Sequence, residues 1–396
     1  MESQVISVNF SHTDFTFYSF SCIMIAVIED EVTTVQILET TDVWHTLKTT
    51  EKPIVLYGMG NGADKILAVM ETLGVEVADF FASDGFVRGH SFHGKRVLSY
   101  SEACEKYPDM LVVISFASSL PEVLAKFDEI DARFETVAPD VPVSGDTLFT
   151  YDWFCEHISD FEAVYEMFAD EESRSVYENI INYKLSGKLC YLRAAVSDEE
   201  QVMRTLVQPE SVRSYLDLGA YNGDTVRGML DAAQQLKTVW AMEPDARNFK
   251  KLSLYAEGET RAAVHAYPYA AWDKRETLTF RVEGNRNSTI AQNGTSGIAV
   301  KQAKEKQIEA ERPDAVLNGA PVDFIKYDVE GAEREALLGT AETIAAYKPR
   351  MLVSLYHRTE DLYALPMLVK ALCPEYQLYL RRFRYVPAWD INMYCI

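Results

Sequence analysis

The stretch that most constrains the fold is residues 214–225, which read SYLDLGAYNGDT. Its first part is an apolar run that carries Asp217 near its end and finishes at Leu218. A glycine-containing turn then leads into Asp224 and Thr225, a typical helix start. A strand that enters a helix through glycines exposes backbone N–H groups and lets a ligand approach the main chain closely. The pattern therefore predicts an α/β fold with a ligand-binding crevice at this turn.

The charges around this turn indicate what the crevice binds. It is not a phosphate-binding loop, because no Gly-Lys-Ser/Thr follows, and Asp217 and Asp224 would repel a pyrophosphate but attract a cation. A second apolar run at 239–242 ends in Glu243-Pro244, where an acid is placed to accept hydrogen bonds from ribose hydroxyls. Together these residues predict a site for a nucleoside with a positive centre, namely S-adenosylmethionine.

Three further motifs lie downstream: PYAAWD at 268–273, NST at 287–289 and FIKYDVEGAE at 324–333. With the order Asp-x-Gly-Ala-x-x-Gly-x-Thr, Glu-Pro, Ala-Ala-Trp-Asp and Lys-x-Asp-x-Glu-Gly-Ala-Glu, residues 175–396 resemble the FkbM-type family of S-adenosylmethionine-dependent methyltransferases. The string at 326–333 is the most specific part. The resemblance implies a class I methyltransferase domain, a doubly wound sheet with an antiparallel edge strand.

The methionine end of the cofactor is expected at the turn after the first strand of this domain. Gly219, Ala220 and Gly223 let the chain turn beneath it. Asp217 and Asn222 offer oxygen acceptors to its amino group.

The nucleoside end is expected against the next two strands. Thr225 begins the following helix and is placed to form a hydrogen bond nearby. Glu243 is predicted to hold the ribose, and the small residues Ala270 and Ala271 to contact adenine through their backbone, with Trp272 as a wall.

The predicted catalytic residues follow the fourth strand. Lys326 and Asp328 alternate onto one strand face, and Glu330 lies just beyond. Either Asp328 or Glu330 is expected to act as base or to orient the acceptor, with Lys326 stabilising their charge, and His357 is a second base candidate. No metal is predicted, although a divalent cation held by Asp328, Glu330 and His357 is an alternative.

The N-terminal half carries a second glycine-rich turn. An apolar strand at 53–57 is followed by GMGNGA, which fits the dinucleotide fingerprint and resembles the small Rossmann-like domains attached to sugar-modifying enzymes. Gly58, Gly60, Gly62 and Asp84 are the predicted site for a nucleotide or sugar, either a nucleotide-linked sugar or a dinucleotide. The alternative is that the glycines only permit a tight turn.

Four segments are predicted: an N-terminal segment of uncertain structure (1–50), a small Rossmann-like domain (51–150), a helical linker or cap (151–210) and the methyltransferase domain (211–396). Pro, Asp and Gly residues in 120–150 indicate a boundary region. Helices between 153 and 206 are expected over the mouth of the methyltransferase site. The candidate ligand contacts in these helices are Tyr177, Asn179, Tyr183 and Lys184. The alternative is that these residues only pack the helices together.

The amino-acid composition limits the classes of partner that the sequence predicts. The 396 residues include 60 acidic and 38 basic side chains, a formal net charge of −22, so neither a nucleic-acid nor a membrane partner is predicted and the expected acceptor is a small molecule or glycan. Six cysteines without a Cys-x-x-Cys pair indicate reduced thiols in a cytoplasmic protein. The apolar residues 15–27 are too few to span a bilayer, and no Lys or Arg precedes Lys48 as a signal peptide requires.

These features predict an enzyme that O-methylates a hydroxyl on a sugar, glycan or secondary metabolite. Three alternatives remain open: N-methylation, a nucleotide- or sugar-binding scaffold without turnover, and a dinucleotide-dependent oxidoreductase formed by residues 53–116. A homo-oligomer is compatible with the sequence.

Overall fold

The computed structural model describes residues 7–10, 13–20, 23–27, 34–87, 89, 91–282, 288–290 and 304–396. The first three of these ranges form an antiparallel three-stranded sheet of β1 (Ser7–Phe10), β2 (Thr13–Phe20) and β3 (Ile23–Val27). Asn287 of the predicted NST motif lies outside the described residues.

The next segment is a small Rossmann-like unit. Its helices are α1 (Val43–Thr49), α2 (Asn61–Leu73), α3 (Tyr100–Lys106) and α4 (Pro121–Asp131). Its strands are β4 (Ile54–Tyr57), β5 (Asp79–Ala82), β6 (Ser91–Phe92), β7 (Lys95–Arg96), β8 (Leu98–Ser99), β9 (Leu111–Ile114) and β10 (Glu135–Val137). Five of them form a parallel sheet in the order β10-β9-β4-β5-β8, while β6 and β7 pair separately. The order reverses between β4 and β9, and the glycine-rich turn follows β4.

The prediction of a boundary region at 120–150 is wrong for its first part. Residues 121–137 contain α4 and β10, which complete the small sheet. Pro121 occupies the start of α4, where its missing N–H costs nothing, so it begins an element and does not break one. Leu124, Phe127 and Ile130 form the buried stripe of that helix.

Helices join the two sheets. They are α5 (Tyr151–Glu156), α6 (Ile158–Met167), α7 (Glu171–Ser186), α8 (Leu189–Ala194) and α9 (Glu199–Val202). The helix α7 is buried between the sheets: the Tyr177 hydroxyl donates to the Leu362 carbonyl (3.1 Å) and the Tyr183 hydroxyl to the Ala138 carbonyl (2.7 Å). With 16 residues it is the longest described helix, and none of the described helices is long and apolar enough to cross a bilayer.

The C-terminal unit is the larger one. Its helices are α10 (Asp224–Ala232), α11 (Ala246–Gly258), α12 (Pro313–Leu317), α13 (Glu333–Gly339), α14 (Ala341–Tyr347) and α15 (Asp361–Leu372). Its strands are β11 (Ser214–Leu218), β12 (Thr238–Met242), β13 (Ala263–Tyr267), β14 (Ala270–Ala271), β15 (Glu276–Val282), β16 (Ser288–Ile290), β17 (Lys304–Glu311), β18 (Phe324–Tyr327), β19 (Arg350–Ser354), β20 (Leu378–Arg382) and β21 (Ile391–Cys395).

Seven of these strands form the main sheet, in the order β13-β12-β11-β18-β19-β21-β20. The strand β21 runs antiparallel to both neighbours and lies one position in from the edge. A separate sheet contains β14, β17, β15 and β16. The predicted α/β class with two Rossmann-like sheets is confirmed. The main sheet reverses its order between β11 and β18, where Asp217 lies directly opposite Lys326.

The turn after β11 requires a glycine. Gly219 has a φ of +83°, and a Cβ there would lie 1.9 Å from the carbonyl oxygen of Asp328. The Gly219 N–H donates to the Met242 carbonyl (3.1 Å). The turns after β11 and β18 thus approach each other more closely than any side chain allows.

We therefore expect Gly219→Ala to lower the free energy of unfolding by about 2 kcal/mol or more, because the new methyl meets backbone at a positive φ. Gly228→Ala in α10 is the matched control: its φ is not positive, nothing lies within 4 Å of its added Cβ, and alanine favours helix. Thermal and urea unfolding measure both variants. A Gly219→Ala variant as stable as the Gly228→Ala variant would contradict the close approach.

Candidate active site

A cavity of about 370 Å³ opens at the carboxyl ends of the strands where the main sheet reverses its order. It is bordered by the turns after β11, β12, β18 and β19 and by residues 385–390. The predicted site residues that line it are Gly219, Thr225, Glu243, Ala270, Ala271, Lys326, Asp328 and Glu330. Those that do not line it are Asp217, Ala220, Asn222, Gly223 and His357.

Asp217 lies beneath the cavity floor and is 0% exposed. Its Oδ2 accepts a short hydrogen bond from the Thr225 hydroxyl, and its Oδ1 lies 3.6 Å from Lys326 Nζ. Burial raises the pKa of Asp217, against the opposing effect of Lys326 and Thr225. In this arrangement Asp217 orients Thr225 and Lys326, which do face the cavity.

Lys326 bridges two carboxylates, since its Nζ also lies 3.1 Å from Asp328 Oδ2. Burial alone would lower the pKa of Lys326, but the charges of Asp328 and Asp217 outweigh it and raise that pKa above its ordinary value. The ammonium therefore stays charged between these two side chains.

Glu243 is held by the backbone at the cavity wall. Its Oε1 accepts from the Asp245 N–H (2.7 Å) and its Oε2 from the Tyr221 N–H (2.9 Å). Burial raises the pKa of Glu243 to about 7, although these two hydrogen bonds oppose the shift. Each oxygen keeps a second lone pair for a ligand hydroxyl.

The remaining turn residues shape the backbone. The Ala220 side chain is buried in the core, and its N–H donates to the Met242 carbonyl (3.0 Å). Asn222 Oδ1 lies 3.4 Å from Arg227 Nη1, so this amide is engaged outside the cavity. Gly223, with a φ of +83°, precedes α10.

Asp328 and Glu330 are two carboxylates with opposite pKa shifts. Burial disfavours charge on Asp328, but Lys326 and His357 overcome it and hold the pKa of Asp328 at about 2. Burial raises the pKa of Glu330 to about 7, and the charge of Asp328 adds to that effect. Glu330 also has a φ of +56°, an unfavourable backbone conformation that directs it into the site. Two neighbouring carboxylates whose pKa values are shifted in opposite directions typically have different chemical roles.

His357 is 0% exposed and surrounded by acids. Its Nδ1 lies 2.9 Å from Glu333 Oε1, and its Nε2 lies 3.5 Å from Asp328 Oδ1 and 3.7 Å from Glu330 Oε2. These contacts are within ion-pair distance, but neither ring nitrogen meets the geometry of a hydrogen bond. Burial lowers the pKa of His357, but these carboxylates, Glu333 first, raise it to about 10. An imidazolium has no lone pair, which argues against the predicted role of His357 as a base.

Glu333 is the residue whose function the sequence reasoning missed. Its oxygens accept from the Val329 N–H (2.8 Å) and the Gly331 N–H (3.1 Å), so it folds the loop that presents Asp328 and Glu330. It stands in the quoted 326–333 string, and that position is the signal that could have found it. Among the described residues, Asp328, Glu333 and His357 offer ligand atoms within 4.8 Å of one another, whereas Glu330 of the alternative metal set is not part of this group.

Aromatic residues without a sequence motif complete the wall. The Tyr356 hydroxyl donates to Asp328 Oδ1 (3.0 Å), and Tyr385 and Trp389 line the same cavity. Trp272, the predicted wall of the adenine pocket, does not line the cavity, and its indole N–H donates to Glu276 (2.7 Å). The α7 residues predicted as ligand contacts do not line the cavity. Asn179 donates to the Ser175 carbonyl of its own helix (2.8 Å), and Lys184 forms a buried ion pair with Asp140.

A second cavity, of about 490 Å³, lies at the switch point of the small sheet. Gly60 and Gly62 line it, whereas Gly58 does not; a Cβ on Gly58 would lie 2.4 Å from the Phe116 ring. Asp84 is exposed and lies outside the lining. Its carboxylate accepts from the Ser101 N–H (3.0 Å) and the Ser101 hydroxyl (2.8 Å).

One family model and several solved structures are similar to this chain. The Methyltransferase FkbM domain matches residues 217–386. The crystal structure of the methyltransferase FkbM from Methylobacillus flagellatus KT superposes with a TM-score of 0.64 at 20% identity, covering 89% of this chain and 92% of that chain. Fibrillarin from Aeropyrum pernix, determined with natively bound S-adenosyl-L-methionine, has a TM-score of 0.30 at 13% identity over 48% of this chain and 68% of that chain. No curated protein matches the sequence.

Replacing Lys326 by an uncharged residue should destabilise the folded protein. We expect Lys326→Met to lower the free energy of unfolding by about 3 kcal/mol, because Asp217 and Asp328 then lose their counter-charge in a mostly buried site. Lys348→Met is the control, since Lys348 and Glu375 are 50% and 69% exposed and such surface pairs contribute about 1 kcal/mol or less. Urea unfolding compares them, and Lys326→Arg should recover most of the loss. Equal effects of the two Met substitutions would contradict the buried charge network.

Proposed function

The chain carries an FkbM methyltransferase domain and is an S-adenosylmethionine-dependent methyltransferase; on this premise we propose that it methylates a hydroxyl of a sugar, glycan or secondary metabolite. The single observation that carries the choice of a hydroxyl is the pair of carboxylates, Asp328 and Glu330, at the cavity wall. A hydroxyl loses its proton on methylation and needs a nearby acceptor for it, whereas an amine needs less activation.

The cavity suits a cationic cofactor. Among the described residues that line it there is one Lys and six carboxylates, namely Asp224, Glu243, Asp245, Asp328, Glu330 and Asp390. Glu243 is placed to accept from the ribose hydroxyls, and Ala270 and Ala271, small residues of the lining, are placed to contact the adenine. When bound, S-adenosylmethionine supplies an electrophilic methyl group.

The chain itself positions the acceptor and takes up its proton. Asp328 stays ionised and accepts a hydrogen bond from the acceptor hydroxyl, while Tyr356 fixes its other oxygen. Glu330, whose pKa of about 7 matches neutral pH, receives the proton at its Oε atoms. His357 and Lys326 hold positive charge against both carboxylates. Asp217 acts from below by orienting Lys326 and Thr225.

Release of S-adenosylhomocysteine from labelled cofactor, over a panel of sugar, glycan and amine acceptors, tests this function. With an acceptor found there, Asp328→Asn should slow turnover by roughly 100-fold or more while changing the affinity for S-adenosylhomocysteine less than twofold. The exposed Asp152→Asn is the control for the same chemical change. Transfer to amines alone, or undiminished turnover in Asp328→Asn, would refute the assigned role.

Cofactor affinity should depend on pH through Glu243. Ribose hydroxyls donate to the ionised carboxylate, so ligand binding lowers a pKa that stands at about 7 in the free protein. The affinity for S-adenosylhomocysteine should then fall about tenfold between pH 8 and pH 6, as the carboxylate takes up a proton.

Calorimetric titrations at pH 6, 7 and 8 measure this dependence. Glu243→Gln should weaken binding at pH 8 by roughly 1–3 kcal/mol and flatten the pH profile, whereas the exposed Glu257→Gln should keep both. A profile that Glu243→Gln leaves unchanged would refute the ribose assignment.

A further inference from the structure

The two cavities described above differ sharply in the charge of their lining residues. Among the described residues lining the cavity at the β4–β9 switch point there is no Asp or Glu, and Lys65 is cationic. The cofactor cavity, by contrast, is bordered by six carboxylates. In a chain with a net charge of −22, an acid-free cavity of about 490 Å³ favours an anionic ligand of the size of a nucleotide.

This cavity lacks the acid that a dinucleotide site of the Rossmann type needs for its ribose. The predicted acid, Asp84, is exposed, and its carboxylate accepts hydrogen bonds from Ser101. No other carboxylate among the described lining residues takes its place. The glycine turn is therefore present without the ribose contact that NAD recognition uses.

Part of the wall comes from the methyltransferase unit. Tyr385, Val386 and Trp389 belong to the segment between β20 and β21. Val386 exchanges two backbone hydrogen bonds (2.8 and 3.0 Å) with Ser118, which follows β9 of the small sheet, and this fixes that segment against the cavity. Tyr385 and Trp389 line the cofactor cavity as well, so the two cavities are neighbours with shared aromatic residues.

We propose that this cavity binds the nucleoside diphosphate part of a nucleotide-linked sugar, whose sugar hydroxyl is the methyl acceptor. Lys65 contacts the diphosphate, and the rings of Tyr385 and Trp389 pack against the base or the sugar next to Asp328. A ligand that touches these two rings borders the site of methyl transfer, as an acceptor must. This inference rests on the proposed methylation of a sugar hydroxyl.

Calorimetric titration of the full chain with UDP, GDP, dTDP and ADP, and separately with S-adenosylhomocysteine, tests the inference. At least one nucleoside diphosphate should bind in the micromolar range, and Lys65→Gln should weaken it about tenfold, the scale of one lost hydrogen bond to a charged group. The exposed Lys48→Gln is the matched control and should bind like the wild type. Ala117→Phe, which fills the cavity without changing charge, should abolish nucleotide binding.

Both cavity variants should bind S-adenosylhomocysteine as the wild type does, which shows that they are folded. Absence of binding by every nucleoside diphosphate, with S-adenosylhomocysteine still bound, would overturn the inference and leave the methyltransferase site standing. Nucleotide binding that survives Ala117→Phe, or tighter binding of NADH than of ADP, would also overturn it. Failure of S-adenosylhomocysteine to bind the wild type would instead overturn the proposed function.

Discussion

The ammonium group of Lys326 lies between two carboxylates at the point where the main sheet reverses its order. Asp217 stands opposite it on the neighbouring parallel strand, and Asp328 follows two residues along the same face. The three groups attract one another across β11 and β18 and hold the two strand ends together. The Gly219 turn then packs against the Asp328 carbonyl, so the charge network and the close backbone approach define the same corner of the cavity.

The loop from Asp328 to Glu333 supplies the carboxylates of the candidate active site at this corner. Glu333 folds it through two backbone hydrogen bonds. Ser144, whose N–H donates to the His357 carbonyl (2.8 Å), packs against Gly331 of this loop. Because three carboxylates surround His357, the ring is an imidazolium that stabilises their charge. Within one small volume, Asp328 is thereby kept ionised while Glu330 titrates near neutral pH.

The sequence was informative wherever a residue's position follows from the end of a strand. Carboxyl ends of parallel strands converge, so Glu243, Lys326 and Asp328 could be placed at one cavity from their motifs alone. Asn222 and Asp84 could not be placed, because after a turn the direction of a side chain depends on partners distant in sequence, here Arg227 and Ser101. Pro121 resembles a boundary signal in the sequence, but it begins a helix, because a proline at the first helical position and one in a loop look alike without the fold. The aromatic wall of Tyr356, Tyr385 and Trp389 carries no motif, and only the tertiary fold brings it to the site.

The most direct test of the central claim is a crystal structure of the full chain with S-adenosylhomocysteine. The account predicts electron density in the cavity between β11 and β18, with the ribose hydroxyls on the Glu243 carboxylate, the adenine against Ala270 and Ala271, and the sulfur facing Asp328. Density in the cavity at the β4–β9 switch point instead, or a ribose that does not touch Glu243, would contradict it.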